Sequence, residues 1–213
     1  MTSTLAPADT KTRILDAAER IFSEDGFDAA SLRTITAAAQ VNLAAVNYHF
    51  HSKESLFCAV IERRVDPINR RRLEMLDAIH GKPTPEKIME AFLRPPMEMC
   101  SGEASAVRTL VARMHSVPGE LFRRIMKENF VTVLNRFVEA LEVALPQAAR
   151  EELQWRMFFV IGSMSQALAW GPLIAEFTSG TRASVDNDVL TARLVSFGAA
   201  GLKASPTSKR VNH

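Results

Sequence analysis

The sequence predicts an all-α protein of about nine helices. Three observations predict it. Apolar residues recur at intervals of three and four along most of the chain, the spacing that lines one face of an α-helix. Helix-starting residues stand before these runs, and glycine or proline stands after them. No segment alternates apolar with polar residues as a half-buried strand does, and no repeat is visible.

The elements follow in order. Ile14, Ala18, Ile21 and Phe22 share one face of a first helix, with Asp9 or Thr10 as its cap. Gly26 stands where a left-handed residue ends a helix, and Phe27 is then placed to touch Phe22. Ser31 caps a second helix, Leu32 to Ala39, which buries Leu32, Ile35 and Ala38 or Ala39. Gln40-Val41 turns the chain, and Asn42 caps a third helix, Leu43 to Phe50. Ser52 caps a long fourth helix whose apolar face runs from Phe57 through Val60, Ile61, Val65, Ile68, Met75 and Leu76 to Ile79. Pro67 is placed to kink it, and Gly81-Lys82-Pro83 ends it.

Later helices are expected from Pro85 to Cys100, disturbed by Pro95-Pro96, and from Glu103 to His115. Another runs from Pro118, in its first turn, to near Pro146, and the next from Gln147 to Trp170. A loop from Gly171 to Ser184 precedes the last helix, about Asp186 to Leu202, and residues 204–213 read as a disordered tail.

The chain has 213 residues, 47% hydrophobic and 23% charged, with a formal net charge of +2. That is enough apolar material for a substantial core, and it excludes a disordered tail protein and a polybasic nucleic-acid coat. Cys58 and Cys100 form no CxxC pair, which fits a reduced compartment. The N-terminus has no apolar core of a signal peptide, and no apolar tract approaches a membrane span. A cytoplasmic protein with no membrane partner is expected.

The three helices within residues 11–50 form a helix-turn-helix pattern. The second helix of such a pair enters the DNA major groove, which admits one α-helix. Leu43, Ala44 and Ala45 are slender enough for close approach, Val46 and Phe50 can pack inward, and Asn47, Tyr48 and His49 project as polar groups. Ser31, Thr34, Tyr48 and Lys53 are of types that contact phosphates. Residues 1–65 hold seven basic against eight acidic side chains, yet Thr34 to Lys53 contains no acid. Any DNA binding must therefore rest on placement and not on total charge.

The stretch from Thr12 to Leu56 resembles the N-terminal DNA-binding domain of the tetracycline-repressor (TetR) family. ILDAAERIFSEDGF, SLRTI and VNLAAVNYHFHSKESL carry the resemblance. Three positions depart from the family pattern: Gln40 and Ala44 stand where glycine is usual or frequent, and Asn47 where tyrosine is common. The resemblance implies a homodimeric, ligand-responsive transcriptional regulator. It implies a DNA-contacting set of Arg33, Thr34, Asn42, Leu43, Ala44, Ala45, Asn47, Tyr48, His49 and Lys53. The division expected is a DNA-binding domain, 1–52, and a ligand-binding and dimerisation domain, 53–203.

The run LVARMHSVPGELFRRIMKENFVTVLNRFVEALEVALPQAAREELQWRMFFVIGSM resembles, more loosely, the C-terminal domain of a branch that includes fatty-acid-responsive repressors. It suggests a small hydrophobic or acyl effector. Candidate ligand-binding residues are Met97, Met114, His115, Phe122, Met126, Phe130, Phe158 and Met164, although apolar residues at helical spacing are individually more often core. Ile161, Ser165 and Ala169, with Leu190, Leu194 and Phe197, are candidate dimer contacts on the last two helices. The expected partners are thus a double-stranded DNA operator, the effector and a second copy of the chain.

No cofactor, metal or catalytic centre is expected. His49-x-His51 and Met97 to Cys100 lack further ligands at metal-site spacing, and no HExxH, GxSxG, GxGxxG or Walker pattern occurs. The rival reading is a helical carrier or enzyme using an apolar cavity, with an incidental helix-turn-helix.

Overall fold

A computed structural model describes residues 9–99, 117–179 and 186–205. Among the described residues there are nine helices and no strand. They are α1 (Thr10–Ala29), α2 (Leu32–Ala39), α3 (Leu43–Phe50), α4 (Lys53–Asp77), α5 (Pro85–Met99), α6 (Gly119–Asn129), α7 (Val131–Ala144), α8 (Arg150–Ser179) and α9 (Asn187–Lys203). The expected helix Glu103 to His115 lies outside the described residues, as do residues 206–213 of the tail. The chain divides into two compact units, Met1–Asp66 with Ala104–Glu128, and Pro67–Glu103 with Asn129–His213. The boundary expected at residue 52 falls inside the first unit.

In the first unit α1 buries Ile14, Ala18, Ile21 and Phe22, as the periodicity predicts. Phe22 meets Phe27 at 6.1 Å between ring centroids, and both meet Phe57 of α4, at 4.9 and 5.2 Å. Each such ring withdrawn from water contributes about 1.5–3 kcal/mol. Gly26 does have positive φ, but its ψ is extended (φ 83, ψ 174), and a further helical turn follows to Ala29. It kinks α1 where the sequence reading has it stop.

Ion pairs centred on the buried Glu19 hold α1 to α4. The Glu19 carboxylate, 4% exposed, accepts from Arg63 Nη2 and from Arg64 Nε at 2.6 Å. Arg63 Nη1 also donates to Asp16 at 2.7 Å. Cys58 is buried on the same stretch of α4, and burial pushes its thiol pKa up.

The second unit is built from the rest of α4, α5, α7, α8 and α9, with Phe92 of α5 meeting Phe137 of α7 edge-on at 5.0 Å. Gly198 of α9 lets that helix sit close to its neighbours: a β-carbon there would come within 3.2 Å of Val160 Cγ2 and 3.4 Å of Met89 Sδ. Arg72 of α4, 3% exposed, donates to the Phe92 carbonyl at 2.8 Å and to Asn69 Oδ1 at 3.2 Å, with Phe92's ring 4.1 Å beneath it. Arg156 of α8 donates to the Leu202 carbonyl at 2.6 Å, capping the end of α9.

Two helix boundaries differ from the sequence reading. The single helix expected from Pro118 to Pro146 is broken at Phe130 (φ −121, ψ −30), between α6 and α7. Next to the break, Asn69 Nδ2 donates to the Asn129 carbonyl at 2.7 Å, so a tertiary bond takes an oxygen that a continuous helix would use internally. The helix expected to stop at Trp170 continues to Ser179. Proline forfeits one backbone bond, but Leu173, Ala175 and Glu176 beyond it are strong helix formers, and they carry the backbone through.

Candidate nucleic-acid interface

The second and third helices are set by caps at both ends. Ser31 Oγ accepts from the Thr34 N–H at 3.1 Å, and Asn42 Oδ1 accepts from the Ala45 N–H at 2.9 Å. Between them Gln40 adopts the left-handed conformation (φ 54, ψ 47). The Val41 N–H reaches back to the Thr36 carbonyl at 3.0 Å, which completes a Schellman turn with a glutamine where glycine would fit without strain. Val46 is 0% exposed and Phe50 4%, so the inner face of α3 is fixed against the unit's core.

The opposite face of α3 is bare. Ala44, Asn47 and Tyr48 (79% exposed) face solvent together, and Leu43, in the first turn at the edge nearer Val46 and Phe50, is 46% exposed beside them. Among the described residues the Asn47 side chain makes no hydrogen bond within the chain; the bond from the His51 N–H, at 3.1 Å, goes to its backbone carbonyl. His51 has φ 65 and ψ −42, and the Ser52 N–H bonds to the Phe50 carbonyl at 2.7 Å across it. This is a γ-turn of the rare positive-φ kind. Ser52 at once caps α4, its Oγ accepting from the Ser55 N–H at 3.1 Å. Glu54 follows in the first turn, its carboxyl held below the usual range by hydrogen bonds from the backbone and from Ser52.

The other members of the expected DNA-contacting set fall into different positions. Arg33 and Thr34 are exposed in the first turn of α2, with the Thr34 hydroxyl 2.7 Å from Ser31 Oγ. Asn42 works as the cap just described. Ala45 and His49 are half-buried, and the His49 ring lies between those of Tyr48 and Phe50, at 5.0 and 6.1 Å. Lys53 has a role the sequence reading missed. Its Nζ donates to the Ala30 carbonyl at 2.8 Å and the Asp28 carbonyl at 3.3 Å, and sits 4.4 Å over the Phe27 ring. It ties the start of α4 to the last turn of α1 and the residue after it, leaving one of its three N–H donors for another partner.

The expected ligand-binding set is scattered. Met97 and Met164 are buried in the second unit. Phe122 and Met126, half-buried, belong to the first unit, and Phe130, half-buried, to the second. Met114 and His115 lie outside the described residues. Phe158 does not face the interior. It is 56% exposed and lines, with Leu134, Glu151, Gln154 and Trp155, a surface groove of about 380 Å³.

Of the expected dimer contacts, Leu194 is buried against its own unit, whereas Phe197 is 65% exposed. Ile161, Ser165, Ala169 and Leu190 are half-buried. Sequence periodicity missed the more exposed stripe on α8. Trp155, Phe159, Trp170, Leu173 and Phe177 face solvent, with Gly162 and Gln166 between them. The stripe lies opposite the buried face of Leu153, Met157, Val160, Met164 and Leu168. It spans about 33 Å at the helical rise. The signal was present in the sequence, since α8 is apolar on two opposite faces.

No helix among the described residues is long and apolar enough to cross a membrane. The described residues hold no group of three or more His, Cys, Asp or Glu side chains placed to bind a metal.

A capped pair of short helices with a bare outer face, joined to a helical unit, defines a helix-turn-helix protein. The family model described as bacterial regulatory proteins, tetR family, matches residues 14–60, and that described as tetracyclin repressor-like, C-terminal domain, matches residues 90–201, more than half the chain. The chain belongs to the TetR family of bacterial regulatory proteins. It is 39% identical over 71 residues to the HTH-type transcriptional regulator UidR of Escherichia coli K12, a match covering 33% of this chain and 36% of that relative. It thus spans about a third of that relative's length. It is 30% identical over 141 residues to the HTH-type transcriptional repressor BepR of Brucella suis biovar 1, covering 64% and 66%. In fold it resembles the fatty acid degradation regulator FadR of Bacillus halodurans, with a TM-score of 0.69 and 14% identity over 94% of this chain and 100% of that one.

Proposed function

We propose that the chain is a cytoplasmic transcriptional repressor, binding a palindromic operator as a homodimer and released by a small hydrophobic effector. The observation that carries the DNA reading is the bare face of α3. Leu43, Ala44, Asn47 and Tyr48 are held outward by Val46 and Phe50, in a segment without an acidic side chain. Support for the dimer comes from the apolar stripe of α8 with Phe197 and Val189 of α9, since so many large apolar side chains on one face, broken by Gly162 and Gln166, are rarely left in water. Two-fold pairing there would present two copies of α3 to one operator.

The effector reading is supported by the apolar interior of the second unit, where the pliable side chains of Met89, Met97 and Met164 are buried. The effector acts by population shift: it favours the state in which the spacing of the two recognition helices no longer matches the operator, so ligand and DNA oppose each other reciprocally. The reading is that of a regulator and not of an enzyme.

Gel-shift titration of the purified chain against genomic fragments tests it. The expected result is a small set of fragments retained at 150–200 mM salt. Sequence-independent binding that vanishes with salt refutes it. Mass spectrometry of ligand retained by the same preparation identifies the effector. Lipid retained without any specific DNA binding would favour the carrier reading.

A further inference from the structure

We infer that α3 reads an A·T-rich core in each operator half-site, with Asn47 specifying adenine and Leu43 and Ala44 set against thymine methyl groups. The inference rests on the operator reading above and goes beyond it by naming the bases. Its basis is what the outer face of α3 carries and what it lacks. Base pairs are told apart in the major groove by their hydrogen-bonding edges and by the thymine methyl. Guanine is read most often by the long cationic forks of arginine or lysine, and α3, LAAVNYHF, holds neither. Its one ring nitrogen donor, His49, is half-buried between two neighbouring rings.

Asn47 is exposed, and its amide is uncommitted within the chain among the described residues, so both its carbonyl oxygen and its NH2 are available. That donor-acceptor pair matches the N6 and N7 of adenine. Leu43 and Ala44, one turn before it, present only hydrocarbon, and the group in the groove that hydrocarbon recognises is the thymine methyl. Leu43 and Asn47 are separated by one helical turn, about 6 Å, on the order of two base-pair steps. Tyr48 shares the outer face, and its single hydroxyl is of the type that contacts phosphate, with no paired donor and acceptor to match a base edge; the remaining polar groups nearby are differently placed. Asn42 is held as a helix cap, Lys53 is engaged by two carbonyls, and Arg33 and Thr34 lie on α2, the helix that crosses the phosphate backbone in this motif.

The test is selection of duplexes from a random library by the full chain at fixed salt, repeated with Asn47→Ala. The expected half-site has A·T pairs at its centre. Asn47→Ala relaxes the preference for adenine at one position by about 5- to 150-fold and leaves the flanking preferences in place. Replacing the central thymines of the selected site by uracil removes only the methyl groups, and weakens binding about fourfold for each methyl in contact. A selected core of G·C pairs overturns the inference, as does an Asn47→Ala variant with unchanged base preferences. Recovery of no preferred sequence at all, from a chain whose melting is intact, refutes the operator reading itself and the inference with it.

Discussion

Replacing Glu19 by glutamine keeps the shape of the side chain and removes its charge. In the native chain this carboxylate is 4% exposed and accepts from two guanidinium groups of α4, Arg63 and Arg64. In the variant an amide NH2 must face one of those donors. Breaking a buried ion pair by removing one partner typically destabilises by about 3–5 kcal/mol. Two features reduce this. Arg63 keeps Asp16 at 2.7 Å, and the Arg64 side chain is 45% exposed, so water can replace its partner. The net expectation is a loss of about 2–3 kcal/mol. For a chain of this length that lowers Tm by roughly 5–10 °C. Urea unfolding at one fixed protein concentration should show the midpoint fall with an unchanged m value. A double-mutant cycle with Arg64→Gln isolates the pairwise coupling. A loss below about 0.5 kcal/mol would refute the reasoning, because it would mean the pairs are as screened as ordinary surface ones.

Gln40→Gly should raise Tm slightly, by about 0.5–1 kcal/mol of stability, since relief of left-handed strain exceeds the extra freedom of glycine in the unfolded chain; Gln40→Val should lower it, and the reverse order would contradict the turn geometry. Lys53→Met deletes two hydrogen bonds and the cation–π contact with Phe27, so stability falls by about 1–3 kcal/mol; if the ammonium also touches a phosphate, the salt slope of operator binding drops by about one as well, and an unchanged slope assigns it a positioning role alone. With Cys100 replaced by serine, Cys58 should resist thiol reagents at pH 8 until the chain unfolds, because burial keeps it protonated; rapid labelling of the native chain would contradict that. If the chain pairs through the α8 stripe as proposed, Trp170→Glu should shift it to monomer in sedimentation experiments, and a variant that still dimerises would remove the stripe from the interface.

What the sequence made legible were features with local causes. Ser31, Asn42 and Ser52 all cap the helices assigned to them, because a capping side chain acts on backbone only two or three residues away. The contact of Phe27 with Phe22 was legible for the same reason. The break at Phe130 was not, since it accompanies a bond from Asn69, sixty residues earlier. The continuation of α8 past Gly171-Pro172 was not legible either, because a Gly-Pro pair is a local stop signal that the helix formers beyond it override. At the candidate interface, periodicity separated the inward Val46 and Phe50 from the outward Asn47 and Tyr48. It could not see that Lys53 is held by carbonyls at the end of α1 and just beyond it, nor that Leu194 turns into its own unit while Phe197 turns out, because both depend on where other segments arrive.

The junction of α3 and α4 has a mechanical consequence. Only His51 and Ser52 separate the two helices, the first locked in a γ-turn and the second committed as a cap. Most loops act as slack cable, absorbing a displacement at one end before the other responds. This one is a joint without backlash. A small rotation of the first turn of α4 is passed to α3 with little slack, and under the operator binding proposed above an ångström-scale input there would be felt at the scale of a single base pair.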